Sequence, residues 1–366
     1  MKNRYLLLCT LLIGTAGSLR AQDLRERTYY YEILEPRHEP KPEVNGFATE
    51  RIKEHLNRGL AATPAMDGKG IYLSWRLLEQ DDADVSFHLY RTANGKTERL
   101  TKSPVKSTCD FIDQSPANGK ASYWICALDK KKKVIDTSTK IEVELPSLKN
   151  YQSIKLNRNI KAGKIAVADL NGDGIYDYII RTPDKNVDPG MPGTLGGETY
   201  QIEVYLNDGT FLWSKDLGQG IEPGVWYSPF IAYDFNGDGK AEIALKTAPE
   251  NSKRNEKGRV DSGEEYLSVL NGMTGEEIAR VDWPERNDRI GMAYLDGKTP
   301  YILACRGTYK LMVVGAWQLN SNKLERAWRW DSDEENPVVR SMGSHNMICG
   351  DVDQDGKDEI LLGSCM

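Results

Sequence analysis

Short runs of alternating hydrophobic and polar residues fill the chain from about Thr49 to Pro146. Alternation is clearest in IYLSWRLLEQ, VSFHLYR, SYWICALD and TKIEVELP, which are separated by turns rich in Gly, Asn and Asp. Period-two alternation over short segments bounded by turn residues is typical of half-buried β-strands. The pattern therefore predicts a β-sandwich of fibronectin or immunoglobulin type over residues 48–147.

The second half of the chain has a different, repeated pattern, in which an acidic loop precedes an aliphatic run. The copies read DLNGDGIYDYII from Asp169, DFNGDGKAEIAL from Asp234 and DVDQDGKDEILL from Asp351. The aliphatic run is short, as in a buried strand, and position 12 is not the Glu that an EF-hand requires. Each copy is therefore predicted to be a loop that leads into a β-strand.

The spacing of the copies predicts one more. The second interval is nearly twice the first, and AYLDGKTPYILACR, from Ala293, aligns with the first copy if two loop residues are dropped. This degenerate copy keeps Asp296 and Gly297 but lacks the acidic cluster, so we expect no metal there.

A hairpin pattern follows the copies at Asp169 and Asp234 and the degenerate copy at Ala293. It reads EVYLNDGTFLWSKDL, SVLNGMTGEEIARVDW and GAWQLNSNKLERAWRW, with Trp213, Trp283, Trp328 and Trp330 in the last strand. Repeats of this kind predict a β-propeller over residues 152–366. The count gives three blades and the first strand of a fourth, so we expect a partial propeller in a truncated chain.

The acidic loops predict Ca²⁺ sites, because alternate oxygen ligands on a tight loop with Gly at the turn suit a hard cation. Asp/Asn/Gly turns without metal are the alternative. The candidate ligands are Asp169, Asn171, Asp173 and Asp177, then Asp234, Asn236, Asp238 and Glu242, then Asp351, Asp353, Asp355 and Glu359.

The N-terminus predicts export. Residues 1–21 have basic residues, an apolar run and small residues, as in a signal peptide, and residues 22–47 read as an extended lead-in. We expect a periplasmic or extracellular protein with no membrane span after cleavage. The formal net charge is −6 without a basic stripe, which argues against nucleic acid as a partner. Cys109 and Cys126 lie in neighbouring predicted strands, and whether they pair is open.

Several motifs resemble one family. RGLAATPAMDGKGIYLSWRLL and FHLYR resemble the N-terminal β-domain of bacterial rhamnogalacturonan lyases of polysaccharide lyase family 11. YDFNGDGKAEIALKTA, EEYLSVLNGMTGEEIARVDWP, YLDGKTPYILACRGTYK and SHNMICGDVDQDGKDEILLGS resemble successive blades of its propeller. The resemblance implies an eight-bladed propeller with several calcium ions, of which this chain lacks about the distal half. It also implies cleavage of rhamnose–galacturonate bonds in the pectic polysaccharide rhamnogalacturonan I by β-elimination.

The resemblance also suggests site residues. His345 matches the histidine of the family's Gly-Asn-His-Asn, Lys246 its Lys-Thr-Ala, and Arg306 its Arg-Gly run, which makes these three the catalytic candidates. Trp226, Tyr227 and Tyr309 are the substrate-binding candidates. The alternatives are a loop-fixing histidine, structural ion pairs and aromatic core packing.

In two places the chain departs from the family. It has Trp226 where Gly-Ala-His-Tyr places a histidine, and RGTYKL where Arg-Gly-Tyr-Tyr-Thr-Arg is common. These changes suggest a divergent subgroup and leave open the exact substrate.

β-Elimination removes the C5 proton beside a carboxylate, so a Ca²⁺ ion that neutralises this carboxylate would assist the reaction. Two other functions stay open. One is a non-catalytic, calcium-stabilised propeller that binds glycan or protein, and the other is a lyase acting on another uronate-containing glycan.

Overall fold

The computed structural model describes residues 51–185, 198–222, 224, 226–255, 260, 263–283, 288–307, 311–335 and 342–363. The predicted signal peptide and lead-in, and the candidate Tyr309, lie outside the described residues. The regular secondary structure of the described residues consists of β-strands and a single-turn helix, α1 (Ser332–Glu335), so the all-β prediction is confirmed. No helix in these ranges is long and apolar enough to cross a membrane.

The first eight strands form two antiparallel sheets. Their bounds are β1 (Ala61–Pro64), β2 (Ile71–Ser74), β3 (Ser86–Ala93), β4 (Lys96–Arg99), β5 (Asp110–Asp113), β6 (Gly119–Leu128), β7 (Val134–Thr137) and β8 (Ile141–Leu145). One sheet has the order β1-β2-β5, and the other has the order β4-β3-β6-β7 with β8 also paired to β6.

The alternating residues of both sheets share one core. Leu73 of β2 packs with Leu89 of β3 and Ile125 of β6, and each of these side chains is fully buried. Trp75 meets the ring of Phe87 edge to face at 5.4 Å. Burial of each large apolar side chain contributes about 1.5–3 kcal/mol, which explains why period-two alternation placed these strands correctly.

The sequence left open whether Cys109 and Cys126 pair, and in the structure both are free thiols. Cys109 packs against the core between the two sheets. Cys126 alternates with the buried Ile125 and Ala127 along β6, and its Sγ atom lies 3.6 Å from the hydroxyl of Thr137. Because successive strand residues point to opposite faces, Cys126 faces away from the core that Cys109 contacts.

The following strands form three four-stranded sheets and a two-stranded one. Their bounds are β9 (Lys164–Ala168), β10 (Asp177–Thr182), β11 (Gln201–Tyr205) and β12 (Phe211–Asp216); β13 (Phe230–Tyr233), β14 (Glu242–Thr247), β15 (Tyr266–Asn271) and β16 (Glu277–Asp282); β17 (Asp288–Ala293), β18 (Tyr301–Arg306), β19 (Val313–Asn320) and β20 (Lys323–Asp331); and β21 (Ile348–Gly350) with β22 (Glu359–Leu361). Within each sheet, strands that follow one another in the chain pair antiparallel.

The predicted repeat is therefore present, with two corrections. The strand before each acidic loop completes the four strands of a sheet, and the last sheet shows two strands in the described residues where one was expected. The loop after β17 is one residue shorter than the others, whereas the alignment had dropped two. Tyr294, not Asp296, consequently stands at the first position of that loop.

The first strands of these sheets, β9, β13, β17 and β21, lie side by side in that order and are called the inner strands below. The second strand β14 is covered on both faces, and all six of its residues are buried. Trp213 of β12 joins the first sheet to the second: its indole nitrogen donates to the Gly272 carbonyl at 2.9 Å. A Cβ at Gly275 would lie 2.7 Å from the Trp213 ring, so only glycine fits there.

Residues 51–58 run across the loops that follow the inner strands. The amide of Asn57 donates to the Gly174 carbonyl, and the amide of Ile52 donates to the Lys298 carbonyl, both at 2.9 Å. The Arg51 guanidinium lies 3.4 Å from an oxygen of Asp358. This segment thus contacts the first, third and fourth loops, and it comes from a part of the chain that precedes the first eight strands.

Candidate functional site

The inner strands have two chemically different ends. The acidic loops begin where the inner strands end, at Asp169, Asp234, Tyr294 and Asp351, whereas a pocket lies where the inner strands begin. One lining residue before each loop, for example Lys164 before Asp169, is five residues from that loop, which in extended chain is about 16 Å. The loop end and the pocket end are therefore separate sites.

In the first two loops the leading aspartate organises the backbone. Asp169 accepts hydrogen bonds from the amides of Gly172, Asp173 and Gly174 at 2.7–3.1 Å. Asp234 has the same bonds from Gly237, Asp238 and Gly239 in its own loop. The glycines adopt positive φ angles, +80° at Gly172 and Gly174, which explains the Gly spacing of the motif.

The acid at position 9 of these loops is buried. Burial raises the pKa of Asp177 to about 6 and that of Glu242 to about 8, and the like charges of neighbouring loop aspartates add to both shifts. In the described residues no lysine or arginine pairs with Asp177 or Glu242. The amide nitrogen of Asn236 instead lies 2.8 Å from Glu242 Oε1, in a place that would favour a positive charge.

The third loop brings its carboxylates together. Oxygen atoms of Asp351, Asp353 and Glu359 lie within 4.8 Å of one another. The Oδ1 atom of Asp351 is buried without a hydrogen-bond partner, which is unfavourable for a carboxylate unless an ion or a donor satisfies it. Asp355 accepts from the amide of Lys357. Hard oxygen donors converging in this way fit a Ca²⁺ ion.

In the short loop between β17 and β18, Asp296 and Tyr294 make the hydrogen bonds that organise the backbone. The Asp296 carboxylate accepts hydrogen bonds from the amides of Lys298 and Thr299, and from the hydroxyl of Tyr301. The Tyr294 hydroxyl donates to the Ile52 carbonyl at 2.6 Å and lies 2.8 Å from the Tyr233 hydroxyl. An aromatic side chain and its hydroxyl thus occupy the position that the leading aspartate has elsewhere.

The pocket at the other end of the inner strands has a volume of about 600 Å³. Residues from all four inner-strand starts line it. Its polar and aromatic lining residues are Lys164, Trp226, Phe230, Arg289, His345 and Asn346. No aspartate or glutamate lines this pocket among the residues that the structure describes.

Two of the predicted site residues meet at this pocket. The rings of Trp226 and His345 stack with centroids 4.5 Å apart and an interplanar angle of 21°. They come from segments more than a hundred residues apart, and Trp226 occupies the place of the histidine that the family motif would supply. Trp226 is half-buried and His345 is exposed. A stacked pair of this kind can pack against sugar rings.

The other predicted residues lie elsewhere. Lys246 is 1% exposed and forms an ion pair with Glu265 at 2.6 Å. Its ammonium also lies 5.9 Å from the Tyr227 ring and 5.8 Å from the Trp283 ring. Neither Lys246 nor Tyr227 lines the pocket. Arg306 ends β18, and its side chain lies outside the described parts of the chain.

The sequence reasoning missed two cations of the pocket, Lys164 and Arg289. Arg289 is 9% exposed; its Nη2 atom donates to the Gly307 carbonyl, and its Nη1 atom is buried without a partner. Burial lowers the pKa of Lys164 to about 8, and the positive charge of Arg181, directly opposite in the β9–β10 pairing, contributes. The repeat could have found them, since both lie five residues before a loop.

Arg181 makes this end of the first sheet more positive. Its side chain is fully buried, its guanidinium lies 4.2 Å from the centre of the Tyr200 ring, and Nη1 donates to the Ser228 hydroxyl at 2.7 Å. Burial lowers the pKa of Arg181. Three basic side chains thus lie at or beside a pocket without described acidic lining residues.

Comparison with known proteins identifies the class of this all-β protein. The family described as "Rhamnogalacturonan lyase family 11, C-terminal domain" matches residues 140–366. The "Rhamnogalacturonan I lyases beta-sheet domain" matches residues 51–143. The chain therefore belongs to rhamnogalacturonan lyase family 11.

Particular relatives agree with this assignment. The chain is 35% identical over 362 residues to the rhamnogalacturonan exolyase YesX of Bacillus subtilis, covering 86% of this chain and 56% of that protein. It is also 35% identical to the endolyase YesW of the same organism, covering 88% of this chain and 56% of YesW. The chain thus spans little more than half the length of these relatives.

Solved structures are similar as well. The crystal structure of YesX superposes with a TM-score of 0.78 at 33% identity, covering 86% of this chain and 57% of YesX. The Bacillus licheniformis rhamnogalacturonan lyase PL11 gives a TM-score of 0.77 at 34% identity, covering 86% of this chain and 59% of that protein.

Proposed function

We propose that this chain belongs to an exported, calcium-dependent lyase that cleaves rhamnose–galacturonate bonds of rhamnogalacturonan I by β-elimination. The observation that carries the proposal is the basic pocket at the starts of the inner strands, with its stacked Trp226 and His345. Relatives named as exolyase and endolyase of rhamnogalacturonan support the same chemistry.

The proposed reaction needs three groups. A base takes the C5 proton of the uronate, positive charge stabilises the enolate-like intermediate, and an acid or water protonates the leaving oxygen as the C4–O bond breaks. The pocket offers Lys164, Arg289 and His345 within one cavity. A stacked indole and imidazole can hold a sugar ring beside these groups.

Calcium is proposed on the donor chemistry of the acidic loops. The converging oxygens of Asp351, Asp353 and Glu359, and the buried, unpaired Oδ1 of Asp351, support a metal site in the third loop. The buried Asp177 and Glu242 support sites in the first two. When bound, a Ca²⁺ ion would supply positive charge that offsets the repulsion among these carboxylates.

A propeller is the proposed architecture of residues 152–366, eight-bladed in the complete protein. It is supported by four successive antiparallel sheets whose first strands lie side by side. Acidic loops then lie together at one end of the inner strands. Export is proposed on the sequence of residues 1–21, and an acidic plant cell-wall polysaccharide is the proposed partner.

The proposal is tested by incubating the protein with rhamnogalacturonan I and Ca²⁺. Elimination creates a C4–C5 double bond conjugated to the carboxylate, so ultraviolet absorbance of the unsaturated uronate should rise, and mass spectrometry should identify the cleaved bond. Polysaccharide binding without product would instead favour a non-catalytic glycan-binding role. Product from a different uronate-containing glycan alone would favour the other lyase specificity.

A further inference from the structure

We propose that one face of the β-sandwich is a second, non-catalytic binding site for the acidic polysaccharide. It is called the outer face below and consists of the side chains of the β4-β3-β6-β7 sheet, with those of β8 beside it, that point away from the core. The proposal rests on the proposed function, from which it takes the class of polymer. No described lining residue of the pocket comes from the first eight strands, so the outer face is a separate site.

An aromatic pair lies in the middle of the outer face. Tyr90 of β3 and Trp124 of β6 are cross-strand partners, and their rings stack with centroids 5.5 Å apart and an interplanar angle of 11°. Both are half-buried and alternate with the core residues Leu89 and Ile125. Aromatic pairs on neighbouring strands also stabilise a sheet by themselves. The side chains around this pair favour a binding role in addition.

Polar side chains lie on both sides of the aromatic pair. On one side, Thr97, Thr92 and Ser122 stand side by side on β4, β3 and β6, and the two threonine hydroxyls lie 2.7 Å apart. On the other side, His88 precedes Tyr90 on the same face of β3. Hydroxyl and imidazole groups both donate and accept hydrogen bonds, as sugar hydroxyls require. An aromatic centre between polar rows thus suits a sugar ring with an apolar face and a polar rim.

Three cations surround this centre. The Lys140 ammonium lies 4.5 Å from the centre of the Trp124 ring. Arg99 of β4 is the cross-strand partner of Tyr90, at the opposite end of the same row. Lys132, from the turn between β6 and β7, donates a hydrogen bond at the first residue of β3. Positive charge therefore borders the aromatic pair on several sides.

The turn between β6 and β7 adds to this charge. Lys132 is one of four consecutive lysines there, of which Lys130 lies 3.6 Å from Asp84. Burial lowers the pKa of His88, and the positive charges of Arg99 and Lys132 add to the shift. The lyase proposal makes no use of this lysine run, whereas an acidic ligand on the outer face would contact it.

The acidic side chains of this sheet lie at the other end of the outer face. Glu142 and Glu144 belong to β8, and their cross-strand partners on β6 are Ser122 and Lys120. Glu142 accepts a hydrogen bond from the Ser122 hydroxyl. The part of the outer face around the aromatic pair is thus complementary to a negatively charged ligand.

Lys140 also provides a way to admit a sugar ring. Its side chain is exposed, and a cation–π contact at an exposed site is weak. A carboxylate can draw the ammonium off the ring, which uncovers one face of the Trp124 indole for stacking. The row from Arg99 to Lys140 crosses three strand spacings, about 14 Å. The two cations therefore hold separate carboxylates, which requires a polymer with recurring uronate residues.

The test measures affinity electrophoresis at low temperature through gels that contain rhamnogalacturonan I. Trp124→Ala removes the stacking ring, and Lys140→Met removes the ammonium above it. The matched controls are Trp328→Ala and Lys323→Met, which change exposed residues of β20. We expect the dissociation constant for the polymer to rise at least about threefold in each outer-face variant and to stay at the wild-type value in the controls.

Chain length and folding are checked in parallel. Short acidic oligosaccharides of rhamnogalacturonan I, measured by isothermal titration calorimetry, should lose less affinity than the polymer, because one molecule cannot occupy both sites. Melting curves show whether each variant folds. If Trp124→Ala does not fold, Lys140→Met and Arg99→Met still test the inference, because both replace exposed side chains.

The inference is overturned if folded Trp124→Ala and Lys140→Met migrate as the wild type does. It is also overturned if the carboxyl-reduced polymer binds as tightly as the acidic one, or if polyglutamate, a polyanion without sugar rings, competes equally well. Retention that depends on Trp124 without any unsaturated product would support the inference and reject the lyase activity. Product formation with unchanged retention in both variants would do the reverse.

Discussion

The loop end and the pocket end of the inner strands carry opposite charges. At the loop end, the carboxylates of Asp169 and Asp234 collect backbone amide donors, and Asp351 converges with other acids of its loop. At the pocket end, the lining in the described ranges includes Lys164 and Arg289 and contains no aspartate or glutamate. Since an extended strand separates the two ends, each can be altered without the other.

The two ends also differ in how constant they are from one copy of the repeat to the next. The loop end recurs in each copy and is crossed by residues 51–58, so it connects elements of the fold. The pocket end differs from copy to copy, with Lys, Pro, Arg and Asn at the equivalent positions. The repeated end therefore serves architecture, and variation at one position of the repeat changes the chemistry of the pocket lining.

Removal of Ca²⁺ by a chelator is expected to have the largest effect, and it should act at the loop end. Ions that bind the native state alone stabilise it by about 2.7 kcal/mol each at a hundredfold excess over Kd. We expect EDTA to lower the melting temperature by at least about 5 °C, measured by differential scanning calorimetry. An unchanged melting curve would remove the calcium proposal.

A pair of variants locates that effect. Asp351→Asn should reduce the Ca²⁺-dependent rise in melting temperature, because its loop holds the converging carboxylates. Asp296→Asn should keep the whole rise, because its carboxylate serves backbone amides of the short loop. Equal losses in both variants would contradict the assignment.

Lys246→Met should lower the stability of the fold and leave ligand affinity nearly unchanged. The buried ion pair with Glu265 leaves an uncompensated carboxylate when the lysine is removed, which costs about 3 kcal/mol. We expect urea denaturation to show this loss, whereas affinity for the acidic oligosaccharide stays within about twofold. Lys323→Met, on the exposed end of β20, is the matched control and should change neither quantity. A loss of affinity with unchanged stability would instead indicate that Lys246 belongs to the substrate site.

The pH dependence of uronate binding is the smallest expected effect. The pKa of Lys164 is lowered to about 8 by burial and by Arg181, so its ammonium is mostly protonated at pH 7 and mostly neutral at pH 9. An anion binds the protonated form better, so affinity should fall severalfold between these values, as titration calorimetry can measure.

Two variants test which side chain causes this pH dependence of binding. Lys164→Arg should flatten the profile because an arginine does not lose its proton over this range. His345→Gln is the second variant, because His345 also lines the pocket. An unaltered slope in Lys164→Arg would assign the pH dependence to another group.

Local pattern predicted much of the fold. Alternation placed β2, β3, β6 and β8 because a sheet that buries one face selects apolar residues at every second position. The acidic loops located the second-strand starts, since their glycines are required by positive φ angles such as that of Gly174. The degenerate copy was found but misaligned by one residue, because Tyr294 replaces the leading aspartate and gives no acidic signal.

The candidate site was less predictable. Trp226 and His345 were selected separately by resemblance, and their 4.5 Å stacking depends on how the second and fourth sheets lie around the pocket. Lys246, selected in the same way, is enclosed between aromatic rings and paired with Glu265. Lys164 and Arg289 were not selected, because a single basic residue at a strand start has no local signature.

The sequence by itself determined the all-β class, the repeat and the carboxylate composition of the loops, since these depend on side-chain period and on glycine spacing within a few residues. Only the tertiary structure decided that the acidic loops and the pocket lie at opposite ends of the inner strands. It also brought Lys164 and Arg289 to one cavity. Charges that are distant in the chain come together when the lateral packing of inner strands places them at one cavity, and local sequence does not encode that distance.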